Sequence, residues 1–108
     1  MTPEQRLDAF RKLVAQRPDE PFARYSLAMA HRTLGQHVDA ARELDELVRR
    51  APAYVPTYLM LGQVREALGR PQDAADAYRR GLSAAQAAGD GHAQAELGRA
   101  LELVAPGE

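Results

Sequence analysis

Hydrophobic residues along the chain recur at intervals of three and four positions, which is the spacing of a helix with one buried face. Leu7, Phe10 and Val14, for instance, fall on one side of such a helix. Proline and glycine interrupt the pattern, and no segment between them alternates apolar and polar residues as a strand would. The pattern predicts an all-α fold with helices at residues 3–17, 21–34, 38–50, 55–68, 71–88 and 92–104.

Residues typical of helix ends lie between these segments. Thr2, followed three positions later by Gln5, is typical of a capping box at the start of the first helix. Pro18 disfavours helical geometry in the residue before it and so ends that helix. Gly35 and Gly69 follow the second and fourth helices, where a left-handed residue is common. All the links are short, so neighbouring helices should run antiparallel.

A repeat relates the two halves of the chain. The segment from Leu34 to Ala41 recurs from Leu68 to Ala75, beginning with Leu-Gly and ending with Asp-Ala-Ala in both copies, a spacing of 34 residues. A fixed period in this range indicates a stacked array of helix pairs. No single pair can bury its apolar face alone, so such an array is stabilised by stacking.

The repeated residues resemble the tetratricopeptide repeat (TPR), whose pattern is W-x2-L-G-x2-Y, then A-x3-F, then P. The first copy matches that pattern with Arg24, Leu27, Ala28, His31, Ala40, Leu44 and Pro52. The second matches it with Tyr58, Leu61, Gly62, Arg65, Ala74 and Tyr78, and has Gln86 in place of the proline. In the last helix, Leu97-Gly98 resembles Leu61-Gly62 after an insertion of two residues.

The resemblance implies a right-handed α-solenoid of antiparallel helix pairs in a single domain, 1–108. Within it, the implied units are a half-repeat at 3–17, full repeats at 21–52 and 55–88, and a capping helix at 91–104. Gly81 interrupts the fifth helix at a cost of roughly 1 kcal/mol relative to alanine. It admits either a close approach of the last helix or a slight bend.

In the TPR family, the first helix of each pair lines a concave groove that accepts peptides or partner helices. Carried over by position, the resemblance implies a partner-binding groove formed by Phe22, Tyr25, Met29, Arg32, Thr33, Leu59, Gln63, Glu66 and Arg99. The apolar members would form a strip for a bound side chain, unless they pack against neighbouring helices. Arg32 and Arg99 would suit a ligand with one or two acidic residues. The implied function is a protein–protein interaction module.

Composition narrows the range of functions. A formal net charge of −1 at pH 7 argues against a nucleic-acid binder, which needs a concentrated basic surface. The chain has no cysteine, so it has no disulfides or thiolate zinc site, which suits a reducing compartment. No apolar run approaches the roughly 20 residues of a membrane span, and the N-terminus does not resemble a signal peptide. We expect a cytoplasmic protein without membrane insertion.

Candidate catalytic and metal-binding residues form no recognised pattern. The chain lacks a G-x-S-x-G nucleophile motif, a phosphate-binding glycine loop and an H-E-x-x-H zinc motif. His31 and His37 lie on either side of the break at Gly35, and their spacing does not match that of a helical metal pair. We therefore expect neither an enzyme nor a metal or cofactor site.

Two alternatives to the groove remain open. A stripe of Leu97, Leu101 and Val104, or the side of the first helix with Leu7 and Leu13, would be the contact surface of a homo-oligomer. The second alternative is that the chain is a fragment of a longer TPR scaffold.

Overall fold

The computed structural model describes residues 1–107, which form six helices and no strand. The helices are α1 (Pro3–Gln16), α2 (Pro21–Thr33), α3 (His37–Arg50), α4 (Pro56–Ala67), α5 (Pro71–Ala88) and α6 (Gly91–Val104). None of these six is long and apolar enough to span a lipid bilayer. The predicted all-α fold class is confirmed. The division into repeats stays a prediction, and residue 108 of the predicted domain lies outside the described residues.

The helix ends have the expected hydrogen bonds. Thr2 Oγ1 accepts from the Gln5 backbone N–H at 3.1 Å, and the Thr2 N–H donates to Gln5 Oε1 at 2.8 Å. Gly35 and Gly69 have φ values of 72° and 73°, in the left-handed region that a side chain disfavours. Because these two turns have the same conformation, the chain reverses direction in the same way after α2 and after α4.

The helices form a curved array. Each helix packs against the next, and α2 also contacts α4, as α4 does α6. By contrast, no Cα atom of α3 lies within 8 Å of a Cα atom of α5. Helix α4 contacts α2 and α6, while α3 and α5 are spread apart. The array therefore curves so that α2, α4 and α6 lie on its inner side. We call the exposed surface of α2, α4 and α6 the concave face.

Small residues at the helix crossings allow close packing of the array. Ala28, Ala40, Gly62 and Ala74 are buried beside the larger Leu27, Leu44, Leu61 and Tyr78. The closest approach is between α4 and α5, where a Cβ atom added to Gly62 would lie 2.0 Å from Cε1 of Tyr78. The tyrosine ring therefore occupies the space that any side chain at position 62 would need.

Gly81 provides a second close approach, in the middle of α5. A Cβ atom at this position would lie 2.6 Å from Cβ of Tyr58 and 2.9 Å from Cδ2 of Leu97. These contacts come from α4 and α6, so the glycine lets both helices pack against the same side of α5. Close approach of both α4 and α6 thus accounts for Gly81.

Ion pairs form at two positions where the TPR pattern has aromatic residues. Nη1 of Arg24 in α2 lies 2.8 Å from Oε1 of Glu43 in α3. Nη2 of Arg65 in α4 lies 3.2 Å from Oδ1 of Asp45 in α3. These pairs link α3 to the helices on either side, so the departures from the pattern preserve the contact between helices by other means.

The predicted contact surface for a homo-oligomer is wrong for three of its leucines. Leu97 and Leu101 are buried in the main core. Leu7 is buried in a smaller cluster with residues of α2. The hydrophobic stripe of each terminal helix is used within the chain, so these side chains are not available to a second copy.

All four tyrosines have a raised pKa. Burial is the first cause for Tyr25, Tyr54, Tyr58 and Tyr78, because it disfavours the charged phenolate. For Tyr78 the effect is largest, since its hydroxyl also donates a hydrogen bond to the carboxylate of Glu66. The folded state therefore favours the protonated form of these side chains.

We expect Gly62→Ala to lower the free energy of unfolding by about 1–3 kcal/mol, because the new methyl group would overlap the Tyr78 ring. Gly98→Ala in α6 is the matched control, since a Cβ atom there meets nothing within 4 Å. It should raise stability by roughly 0.5–1 kcal/mol through helix propensity. Urea unfolding followed by circular dichroism measures both, and equal stabilities would contradict the packing described.

We expect stability to fall as the pH rises above the ordinary tyrosine pKa of about 10. Because the folded-state pKa of each tyrosine is raised, the folded chain binds more protons than the unfolded chain in this range. Stabilisation is complete below the unfolded-state pKa and is lost through the folded-state pKa. Urea midpoints measured from neutral to strongly alkaline pH test this. Tyr78→Phe should lose less stability than the wild type across that range, and an equal loss would refute the assignment.

Candidate functional site

Exposed apolar side chains lie together on the concave face. Phe22 and Met29 in α2 are 59% and 45% exposed, although large apolar residues usually lie inside a protein. Tyr25 lies between them on the same helix face, and Leu59 of α4 lies beside it; both are partly buried against the core. We call these four residues the apolar strip. Its helices are held in place by their opposite, buried faces.

Polar groups occupy the C-terminal ends of α2 and α4 on the same face. Nη1 of Arg32 donates to Oε1 of Gln63 at 2.9 Å, which links the two helices. The hydroxyl of Thr33 donates to the carbonyl of Met29 at 3.0 Å, and Glu66 accepts the hydrogen bond from Tyr78. Four of the predicted groove residues therefore already make hydrogen bonds within the chain: Arg32, Thr33, Gln63 and Glu66.

A cavity of about 350 Å³ opens at the other end of the apolar strip, near the N-terminal ends of α2, α4 and α6. It is lined by Tyr25, Val55, Pro56, Leu59, Asp90, His92, Ala93, Glu96 and Leu97. We call it the anchor pocket. Tyr54 supports its wall, because its ring packs edge-to-face on Tyr25 with centroids 6.1 Å apart.

Three polar residues of the anchor pocket come from the start of α6. Oδ1 of Asp90 accepts the Ala93 backbone N–H at 3.0 Å and so caps the helix. Nε2 of His92 lies 2.7 Å from Oε1 of Glu96, one helical turn away. Arg99 is exposed and lies one turn beyond Glu96 on the same side of α6. The pocket is thus apolar where α2 and α4 line it, while α6 contributes the apolar Ala93 and Leu97 as well as the polar groups.

The sequence prediction of the groove missed Asp90, Ala93 and Glu96, which line the pocket at the start of α6. The insertion before this helix breaks the register of the repeat, so positions could not be carried over securely. A local signal was present: aspartate directly before a helix is a common N-cap, and residues 93 and 96 follow it at helical spacing. Tyr54, in the loop before α4, had no counterpart in the TPR pattern.

A larger hollow, of about 590 Å³, lies away from the concave face, between α3 and the turn from α4 to α5. Most of its charged side chains already form ion pairs: Arg42 lies 3.3 Å from Asp39, Asp45 lies 3.2 Å from Arg65, and Glu46 binds both Arg49 and Arg50. Hydrogen bonds from the two arginines lower the pKa of Glu46 to about 2. Within residues 1–107, no group of three or more His, Asp or Glu side chains is arranged to hold a metal ion.

Comparison with known proteins finds tetratricopeptide repeat proteins that are similar to this chain. A TPR repeat-containing protein of Pseudomonas aeruginosa is 29% identical over 91 residues, which cover 84% of this chain and 87% of that protein. The solution structure of a tetratricopeptide repeat domain protein from Salinibacter ruber is 37% identical, with a TM-score of 0.76 over 81% of this chain and 88% of that one. No family model matches the chain.

The structure of PcrH in complex with the chaperone-binding region of PopD has a TM-score of 0.88 over 94% of this chain and 77% of that one. At 16% identity, this likeness shows the fold alone. The Salinibacter ruber domain combines the same helical architecture with higher identity over most of both chains. The chain belongs to the tetratricopeptide repeat family.

Proposed function

We propose that this chain is a protein-interaction module whose concave face binds a peptide segment or helix of a partner protein. The observation on which the proposal rests is the apolar strip on α2 and α4, in which Phe22 and Met29 are exposed and Tyr25 and Leu59 are partly buried. Grouped apolar side chains on the surface of a small domain are typical of binding sites. TPR proteins are generally non-enzymatic interaction scaffolds, which is consistent with this role.

The chemistry of the strip supports binding of apolar side chains. Tyrosine is enriched among the residues that contribute most to binding energy in protein interfaces. Methionine is flexible and polarisable, so Met29 can adapt to side chains of different shape. Since α2 and α4 are already packed on their opposite faces, binding would not require the groove to fold. A surface ordered in advance loses less affinity to conformational entropy.

Arg32, at the C-terminal end of α2, adds a charged contact to the proposed ligand site. Arg32 uses one donor for Gln63 at 2.9 Å, while a guanidinium group has five N–H donors in total. An acidic residue of the ligand would find the remaining donors at the C-terminal end of α2. The proposed ligand therefore has apolar residues for the strip and an acidic residue for Arg32, with Arg99 on α6 as a second candidate contact.

The fold comparison supports the plausibility of such a complex. PcrH, which has the same fold, is described in complex with the chaperone-binding region of PopD. For this chain we propose a protein or peptide ligand as well, which need not resemble PopD. The cytoplasmic location remains part of the proposal.

We expect the double substitution Phe22→Glu/Met29→Glu to abolish partner binding, because it places two charges on the apolar strip. Both side chains are exposed, so the fold should tolerate the change. The measurement is affinity capture from a lysate of the source organism, quantified by mass spectrometry. Capture of groove-dependent partners should fall at least about tenfold, the equivalent of 1.4 kcal/mol in binding.

The matched control is Val38→Glu/Ala87→Glu, which introduces the same charges at two exposed apolar positions on α3 and α5, outside the concave face. This variant should capture the same partners as the wild type. Circular dichroism checks that both variants remain folded. Equal capture by the strip variant and the wild type, or loss in the control variant alone, would show that the partner binds elsewhere.

A further inference from the structure

We infer that the anchor pocket selects a peptide segment in which a large apolar side chain is directly flanked by lysine or arginine. The inference rests on the proposed function, since it assigns a ligand chemistry to one end of the same groove. It goes beyond the proposed binding of apolar and acidic residues at the Arg32 end. Its basis is an apolar cavity with two carboxylates at its rim that, among the described residues, pair with no arginine or lysine.

The cavity itself fits an apolar side chain. Its volume of about 350 Å³ falls within the range of ligand sites, about 300–1,000 Å³. The walls contributed by α4 and the loop before it are the aliphatic side chains of Val55, Pro56 and Leu59. Tyr25 closes the side formed by α2, and Ala93 of α6 leaves room opposite it. An apolar side chain placed here would exclude water from these groups.

Two carboxylates lie at the rim without a strong cation beside them. Asp90 accepts one backbone hydrogen bond, from Ala93 at 3.0 Å, and Glu96 contacts His92 at 2.7 Å. Within the described part of the chain, neither carboxylate forms an ion pair with an arginine or with Lys12. A carboxylate has more acceptor sites than these contacts use.

The helix ends do not cancel this negative charge. The N-terminal end of a helix is equivalent to roughly half a positive charge, whereas each carboxylate contributes a full negative charge. Asp90 caps α6, and Glu20 caps α2 at the same end of the groove, with Oε1 accepting from the Phe22 N–H at 3.3 Å. Glu96 adds a further charge one turn into α6. The potential at the pocket rim is therefore negative, which favours a basic residue of the ligand.

The two ends of the groove thus differ in charge. At the C-terminal ends of α2 and α4, the charge of Arg32 is offset by Glu66, whose carboxylate accepts from Tyr78, whereas Asp90 and Glu96 leave the pocket end negative. A ligand with a basic residue beside its apolar anchor, and an acidic residue further along, matches both ends. The same ligand in the opposite direction would place like charges together, so the charges also determine its orientation.

The test is selection of a phage-displayed library of random dodecapeptides against the full chain, read by sequencing. Lysine or arginine should be enriched next to a large apolar residue. Enriched peptides are then synthesised and titrated against Asp90→Asn/Glu96→Gln, in which asparagine keeps the helix cap and both charges are removed. Their dissociation constants should rise about tenfold, and the dependence of affinity on salt should become weaker.

The matched control is Glu4→Gln/Asp8→Asn, which removes the same charge from α1, a helix that packs only against α2. It should leave the affinity unchanged. Peptides that bind the wild type but not Phe22→Glu/Met29→Glu, and show no basic preference or no effect of the pocket substitutions, overturn this inference alone. If no enriched peptide depends on the apolar strip, the proposed function fails as well.

Discussion

The packing of Tyr78 against the bare backbone of Gly62 is the contact on which the rest of the structure depends. It sets the distance between α4 and α5, because any side chain at position 62 would overlap the ring. Helix α4 in turn contacts α2, α3, α5 and α6. Gly81 allows a similar close approach on α5, where Tyr58 and Leu97 occupy the space that a side chain would need. The curvature of the array, and hence the concave face, follows from these close approaches.

The same packing explains why part of α2 remains apolar and exposed. Ala23, Leu27 and Ala30 bury one side of this helix, and the stacking of neighbouring helices needs no further apolar surface from it. Phe22 and Met29 lie on the other side, beyond the reach of the core. Their exposure is therefore not a requirement of folding, and the proposed binding role rests on it.

The sequence was sufficient to predict the fold, because the repeat fixes the spacing of helices and glycines. It was less informative about α6. A stripe such as Leu97 and Leu101 indicates that one face is buried but not which neighbour covers it. The sequence therefore leaves open a contact between copies, whereas both residues pack inside the chain. The pocket formed with Asp90 and Glu96 depends on which face of α6 lies towards α4 after the insertion, and only the three-dimensional structure shows that face.

The most direct test of the account is a titration of the isotopically labelled full chain with a peptide enriched from the library, followed by two-dimensional amide spectra. If the concave face is the binding site, the largest shifts should occur at Tyr25, Met29, Leu59 and Glu96, on α2, α4 and α6. Amides of Arg42 and Arg80, on α3 and α5, should not move. Largest shifts on α3 and α5 would contradict the account, since these helices form the opposite side of the array.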